Sequence, residues 1–136
     1  MSHTWRRLSL IALAAAIAFI IWASLYPFEY RVPANSSGPL IALIQSAGDR
    51  ILWDDFTANI ALYGPIGFFG VLAIPAGASV GRRLALTLLL GAALTVGIEL
   101  MQYYVQRETS AFDVYANLLG TLLGAVGGMV ASRRLG

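Results

Sequence analysis

The chain has 136 residues, 58% of them apolar and 12% charged, with a mean hydropathy of +0.72. That balance excludes an ordinary soluble domain and marks one all-α membrane domain over residues 1–136. Cysteine is absent, which removes disulfides, thiolate metal sites and cysteine nucleophiles, and a formal charge of +2 is too small to point to nucleic acid.

The arginines organise the rest. All nine basic residues are arginines, and six of them form the pairs Arg6–Arg7, Arg82–Arg83 and Arg133–Arg134. These pairs punctuate four apolar runs, at about residues 8–25, 56–74, 84–104 and 114–131. Each run is close to the roughly 20 residues that a spanning helix needs. The positive-inside rule puts all three pairs in the cytoplasm, with both termini inside and a polytopic four-helix bundle of two helical hairpins between them. Six of the seven acids then fall outside, and the seventh is Glu99, within the third run. Trp22, Tyr26, Trp53, Phe56, Tyr103 and Tyr104 gather near the outer ends, as an interfacial belt does.

Run one also has the look of a secretory signal, since Arg6 and Arg7 precede an alanine-rich core. It is longer than the roughly 7–15 residues of a signal core, however, and its loss would leave three spans. The outer loop begins as turn-rich coil through Pro33, Asn35, Ser36, Ser37, Gly38 and Pro39. Leu40 to Leu52 then spaces apolar residues around Gln45, Asp49 and Arg50, which fits either a short amphipathic surface helix or a plain loop.

Runs two and four open alike. Asp55-Phe56-Thr57-Ala58-Asn59-Ile60 and Asp113-Val114-Tyr115-Ala116-Asn117-Leu118 both read Asp-x-x-Ala-Asn-aliphatic. This is a weak internal repeat, relating two hairpins by a pseudo-two-fold along the membrane normal. Capping of free N–H groups is reason enough for the aspartates. Asn59 and Asn117 lie one turn further in on the same face, where an amide in lipid needs a partner. Interhelical hydrogen bonding is the plain explanation, worth about 0.6 kcal/mol on average. In run four the face continues as Gly120, Gly124 and Gly128, a small-xxx-small stripe that lets another helix approach closely. Pro65 in run two predicts a kink.

Glu99, Gln102 and Gln106 share one face of run three. A charged side chain within a span costs roughly 2.5–3.5 kcal/mol on insertion scales, so it faces a packed interior or a wet cavity. A structural contact that fixes helix register is the competing explanation. Asp55, Asn59, Glu99, Gln102, Arg107, Asp113 and Asn117 form the candidate polar cluster, with Arg107 suited to hold an anionic group. A lipid tail would then lie along Gly120 to Gly128. No cofactor or metal is expected.

The ordered set Asp55, Asn59, Pro65-x-Gly67-Phe68, Glu99-x-x-Gln102, Arg107, Asp113, Asn117 and Gly120-x-x-x-Gly124 resembles the VanZ-like membrane proteins over about residues 15–131. Glu108-Thr109-Ser110 is a local departure. The resemblance implies a multi-pass protein of the bacterial cytoplasmic (inner) membrane with a cell-envelope role. The family's founding member belongs to a glycopeptide-resistance cluster and gives low-level teicoplanin resistance, while many members lie outside such clusters.

Three function classes follow. The first is a binder of an amphiphile at the outer leaflet: a cell-wall precursor, a lipid headgroup or a lipoglycopeptide. The second is an intramembrane enzyme using Glu99 with Asp55 or Asp113 as acid and base. The only histidine, His3, lies in the N-terminal tail and no Ser-His or Cys-His pair exists, so binding is favoured. The third is a small proton-coupled exporter, against which run one carries no acid. Membrane lipids are expected partners, and both a monomer and a homodimer fit the pattern.

Overall fold

The computed structural model describes residues 3–34, 37–105 and 107–134, and these are helical with no strand among them. Helix α1 spans His3–Leu25, α2 Pro39–Gln45, α3 Trp53–Ala73, α4 Val80–Gln102 and α5 Ala111–Arg134; a 3₁₀ turn, Ser46–Gly48, continues α2. Gly38 precedes α2 with φ +99°, a left-handed conformation that glycine adopts without strain. The four long helices have 21 to 24 residues and are apolar enough to cross a membrane. At about 1.5 Å per residue they reach roughly 32–36 Å. Asn35, Ser36 and Gln106 lie outside the described residues.

The helices run past the apolar stretches at both ends. The arginine pairs lie inside α1, α4 and α5 rather than between them. Arginine is a good helix former, and its long stem lets the guanidinium reach the polar layer, so a charge does not end a helix as it ends a hydropathic run. At the opposite, acidic end, Asp54, Asp55 and Asp113 sit in first turns, where a carboxylate complements the helix dipole. The amphipathic segment is shorter than its apolar pattern, since the helical part ends at Gly48.

Helices α3 and α5 run parallel and form the tightest seam. A Cβ on Gly120 would meet the Ile60 backbone, one on Gly124 the Gly64 carbonyl, one on Gly128 the Phe68 carbonyl, and one on Gly67 the Thr121 carbonyl. The first three contacts pair residues 60 apart (120 and 60, 124 and 64, 128 and 68). That is close to the 58-residue offset of the two Asp-Asn segments (113 and 55, 117 and 59). The glycine face is therefore filled by α3 backbone and leaves no room for a lipid tail along Gly120 to Gly128. Pro65 lies inside α3, which is continuous.

Helix α4 closes the third side with a buried face of Arg83, Thr87, Gly91, Thr95 and Glu99, each one turn apart. Gly70 of α3 accommodates Thr87, and Gly91 accommodates Thr121 of α5. Helix α1 is more peripheral and contributes Ile20 to a core with Tyr63, Ile66 and Ile98. Large apolar side chains such as Ile11, Phe19, Leu89 and Leu123 cover the outside, as a lipid-facing surface requires.

Two arginines close the C-terminal end of α3. Arg83, 5% exposed, donates to the Val71 carbonyl from Nε at 3.1 Å and Nη2 at 2.7 Å, and Arg6 Nε donates to the Ala73 carbonyl at 3.0 Å. These carbonyls lack intrahelical partners, so the guanidinium groups act as a cap supplied by neighbouring helices. Arg83→Ala is expected to cost about 1.5–3 kcal/mol, the range for hydrogen bonds to charged groups. The exposed Arg82→Ala should cost far less, and thermal unfolding in detergent compares the two.

Candidate functional site

At the acidic end the helix ends and their connections surround a cavity of about 900 Å³. Its wall takes Ser24 from α1, Gln45 and Ser46 from the α2 segment, Asp55 and Asn59 from α3, Gln102 from α4, Arg107 and Ser110 from the α4–α5 connection, and Asp113 from α5. Phe56, Tyr103 and Phe112 add aromatic faces. The volume lies in the roughly 300–1,000 Å³ range of small-molecule sites.

The start of α5 explains how this wall is held. Its first N–H groups have no intrahelical acceptor, and three different segments supply one. The Ser110 N–H donates to Glu99 Oε2 at 2.8 Å, the Ala111 N–H to Ser46 Oγ at 2.8 Å, and the Asp113 N–H to Ser110 Oγ at 3.3 Å. Ser110 and Asp113 have the Ser-x-x-acid spacing of a capping box, in which the acid would reach back to the Ser110 N–H. Here Glu99 of α4 takes that N–H. The cap therefore belongs to Ser110 rather than to Asp113, whose carboxylate lies in the cavity wall beside the Asn59 side chain and within electrostatic reach of Asp55.

Glu99 is 2% exposed and stands behind the wall rather than in it. Besides the Ser110 contact, its backbone carbonyl accepts from Thr109 Oγ1 at 3.3 Å. The Gln102 amide has two settings: its nitrogen donates either to both Glu99 oxygens at 3.1 Å or to the Ser24 carbonyl at 3.3 Å. An ionised Glu99 selects the first, since the second opposes an amide oxygen to the carboxylate.

The seven residues of the sequence cluster thus divide. Asp55, Asn59, Gln102, Arg107 and Asp113 line the cavity; Glu99 and Asn117 do not. Asn117, 3% exposed, donates from Nδ2 to Thr95 Oγ1 at 2.8 Å and joins α4 to α5 deeper in the bundle. Arg107 is exposed; Nη1 donates to the Tyr26 carbonyl at 3.4 Å, and its N–H to the Gln102 carbonyl at 3.2 Å. The organising roles of Ser46, Ser110 and Thr95 were not foreseen. Only the Ser110-x-x-Asp113 spacing signalled one of them. Among the described residues no group of three or more histidines, cysteines or acids is arranged to hold a metal ion.

A family model described as VanZ/LLP1 matches residues 8–132, nearly the whole chain. No curated protein and no solved structure matches it.

Proposed function

The chain belongs to the VanZ/LLP1 family, and from that premise we propose that it binds the headgroup of an amphiphile in the polar cavity at the acidic end. The observation that carries this reading is the cavity itself, a hollow lined by charged and amide side chains among four helices apolar enough to cross a membrane. The three arginine pairs lie at the opposite end, so the positive-inside rule turns the cavity to the outside of the cytoplasmic membrane, with both termini in the cytoplasm. There it meets headgroups of the outer leaflet, lipid-linked cell-wall precursors and acylated glycopeptides. The acyl chain stays in the bilayer while Arg107 and the neutral groups of Asn59 and Gln102 hold the polar part. Low-level teicoplanin-type resistance, where a member confers it, follows in this scheme from capture of the acyl-bearing antibiotic or its precursor target. An acid–base role for Glu99 has less support, because its carboxylate is buried and engaged by Ser110.

Native mass spectrometry of the detergent-purified protein tests the reading. The wild type is expected to retain a phospholipid or precursor through delipidation, and Arg107→Ala to lose most of that adduct while melting normally. Complete delipidation of the wild type under conditions that preserve the fold would refute it.

A further inference from the structure

The charges on the cavity wall identify the class of headgroup. Asp49, Asp55, Glu108 and Asp113 line the cavity together with Arg50 and Arg107, four acids and two arginines, a formal excess of two negative charges. Among the described residues none of these acids forms an ion pair with either arginine, and the Arg107 side chain donates its hydrogen bond to the Tyr26 backbone carbonyl. Both signs are thus presented to one hollow without a direct ion pair between them. A purely anionic ligand would satisfy Arg107 and leave the acids facing it.

Asp55 and Asp113 are the matched pair. They occupy equivalent first-turn positions on the parallel helices α3 and α5, and the Asn59 side chain stands beside Asp113. Two carboxylates and an amide oxygen accept hydrogen bonds, so they suit a group that carries a positive charge and several N–H donors. A quaternary ammonium carries the charge without the donors. Arginine's fork suits a phosphate or carboxylate.

We propose that the cavity selects zwitterionic headgroups, seating a primary ammonium between Asp55 and Asp113 and the anionic group against Arg107. This rests on the headgroup-binding reading above and narrows it. A phosphoethanolamine lipid and an amine-bearing cell-wall precursor share this chemistry.

The test offers the purified protein equal amounts of phosphatidylethanolamine, phosphatidylcholine and phosphatidylglycerol with identical acyl chains, and reads retained adducts by native mass spectrometry. Phosphatidylethanolamine is expected to exceed each of the others by at least about tenfold. Asp113→Asn should erase its advantage over phosphatidylglycerol, and Asp55→Asn, at the equivalent position, should act in the same direction if either variant melts like the wild type. Retention of phosphatidylglycerol as well as phosphatidylethanolamine, or an unchanged ratio in both folded variants, overturns the zwitterion proposal while leaving headgroup binding intact. Retention of no lipid at all overturns both.

Discussion

Gly124→Leu is expected to destroy the folded bundle, with little monodisperse protein surviving extraction into mild detergent. The added Cβ would stand against the Gly64 carbonyl and the Phe68 backbone nitrogen of α3, and backbone cannot turn aside as a side chain can. Overpacking a flexible site costs about 1–3 kcal/mol. Here the helices themselves must separate, which opens the Gly120 and Gly128 contacts on the same seam, so the loss should exceed that range. Even Gly124→Ala carries the offending carbon and should lower the melting temperature. Gly97→Leu is the matched control, because a Cβ there meets nothing within 4 Å. Size-exclusion profiles and circular-dichroism melts of the three variants decide the matter, and a normal melt for Gly124→Leu would remove the seam as the bundle's organising contact.

Glu99→Ala is expected to have the second-largest effect, and to act at a distance from its own position. Removing the carboxylate strands the Ser110 N–H and leaves the Gln102 amide only the Ser24 carbonyl to donate to. Each buried group left without a partner costs about 1–3 kcal/mol. The connection that carries Arg107 would then come loose from α4, and lipid adducts should fall although Glu99 does not line the cavity. Glu99→Gln keeps an acceptor oxygen for Ser110 and should retain much of the structure. Hydrogen exchange at the amides of residues 110–113 reports the change directly. Unaltered protection in Glu99→Ala would mean that the carboxylate does not hold the start of α5.

These two residues mark how far the fold could be seen in advance. Four spans were legible because arginine pairs and aromatic residues delimit runs of membrane-spanning length. The stripe at Gly120, Gly124 and Gly128 showed that a helix approaches closely, but not which one. Its partner is α3, whose own Gly64 and Gly67 supply the thin surface, and only the three-dimensional arrangement excludes a lipid tail from that face. Asp55, Asn59 and Asp113 share a cavity because equal spacing on two parallel helices carries equal positions to the same depth.

Other features left almost no trace in the residue pattern. Thr87, Thr95 and Thr121 do not interrupt an apolar run, yet Thr95 accepts the buried hydrogen bond that joins α4 to Asn117, while Thr87 packs against Gly70 and Thr121 against Gly91. Arg83 is indistinguishable in sequence from its exposed neighbour Arg82, and its capping of α3 depends on a contact between separate helices. Glu99 stood out correctly as a buried acid. Its partner, a backbone N–H eleven residues away, carries no side-chain signature.

The most direct measurement is an experimental structure in nanodiscs of phosphatidylethanolamine and phosphatidylglycerol. A polar headgroup is expected between Arg107 and the Asp55–Asp113 pair, its chain leading into the lipid. An open, headgroup-free hollow, or Arg107 folded onto Asp113 so that the two neutralise each other, would contradict a binding role for this end of the molecule.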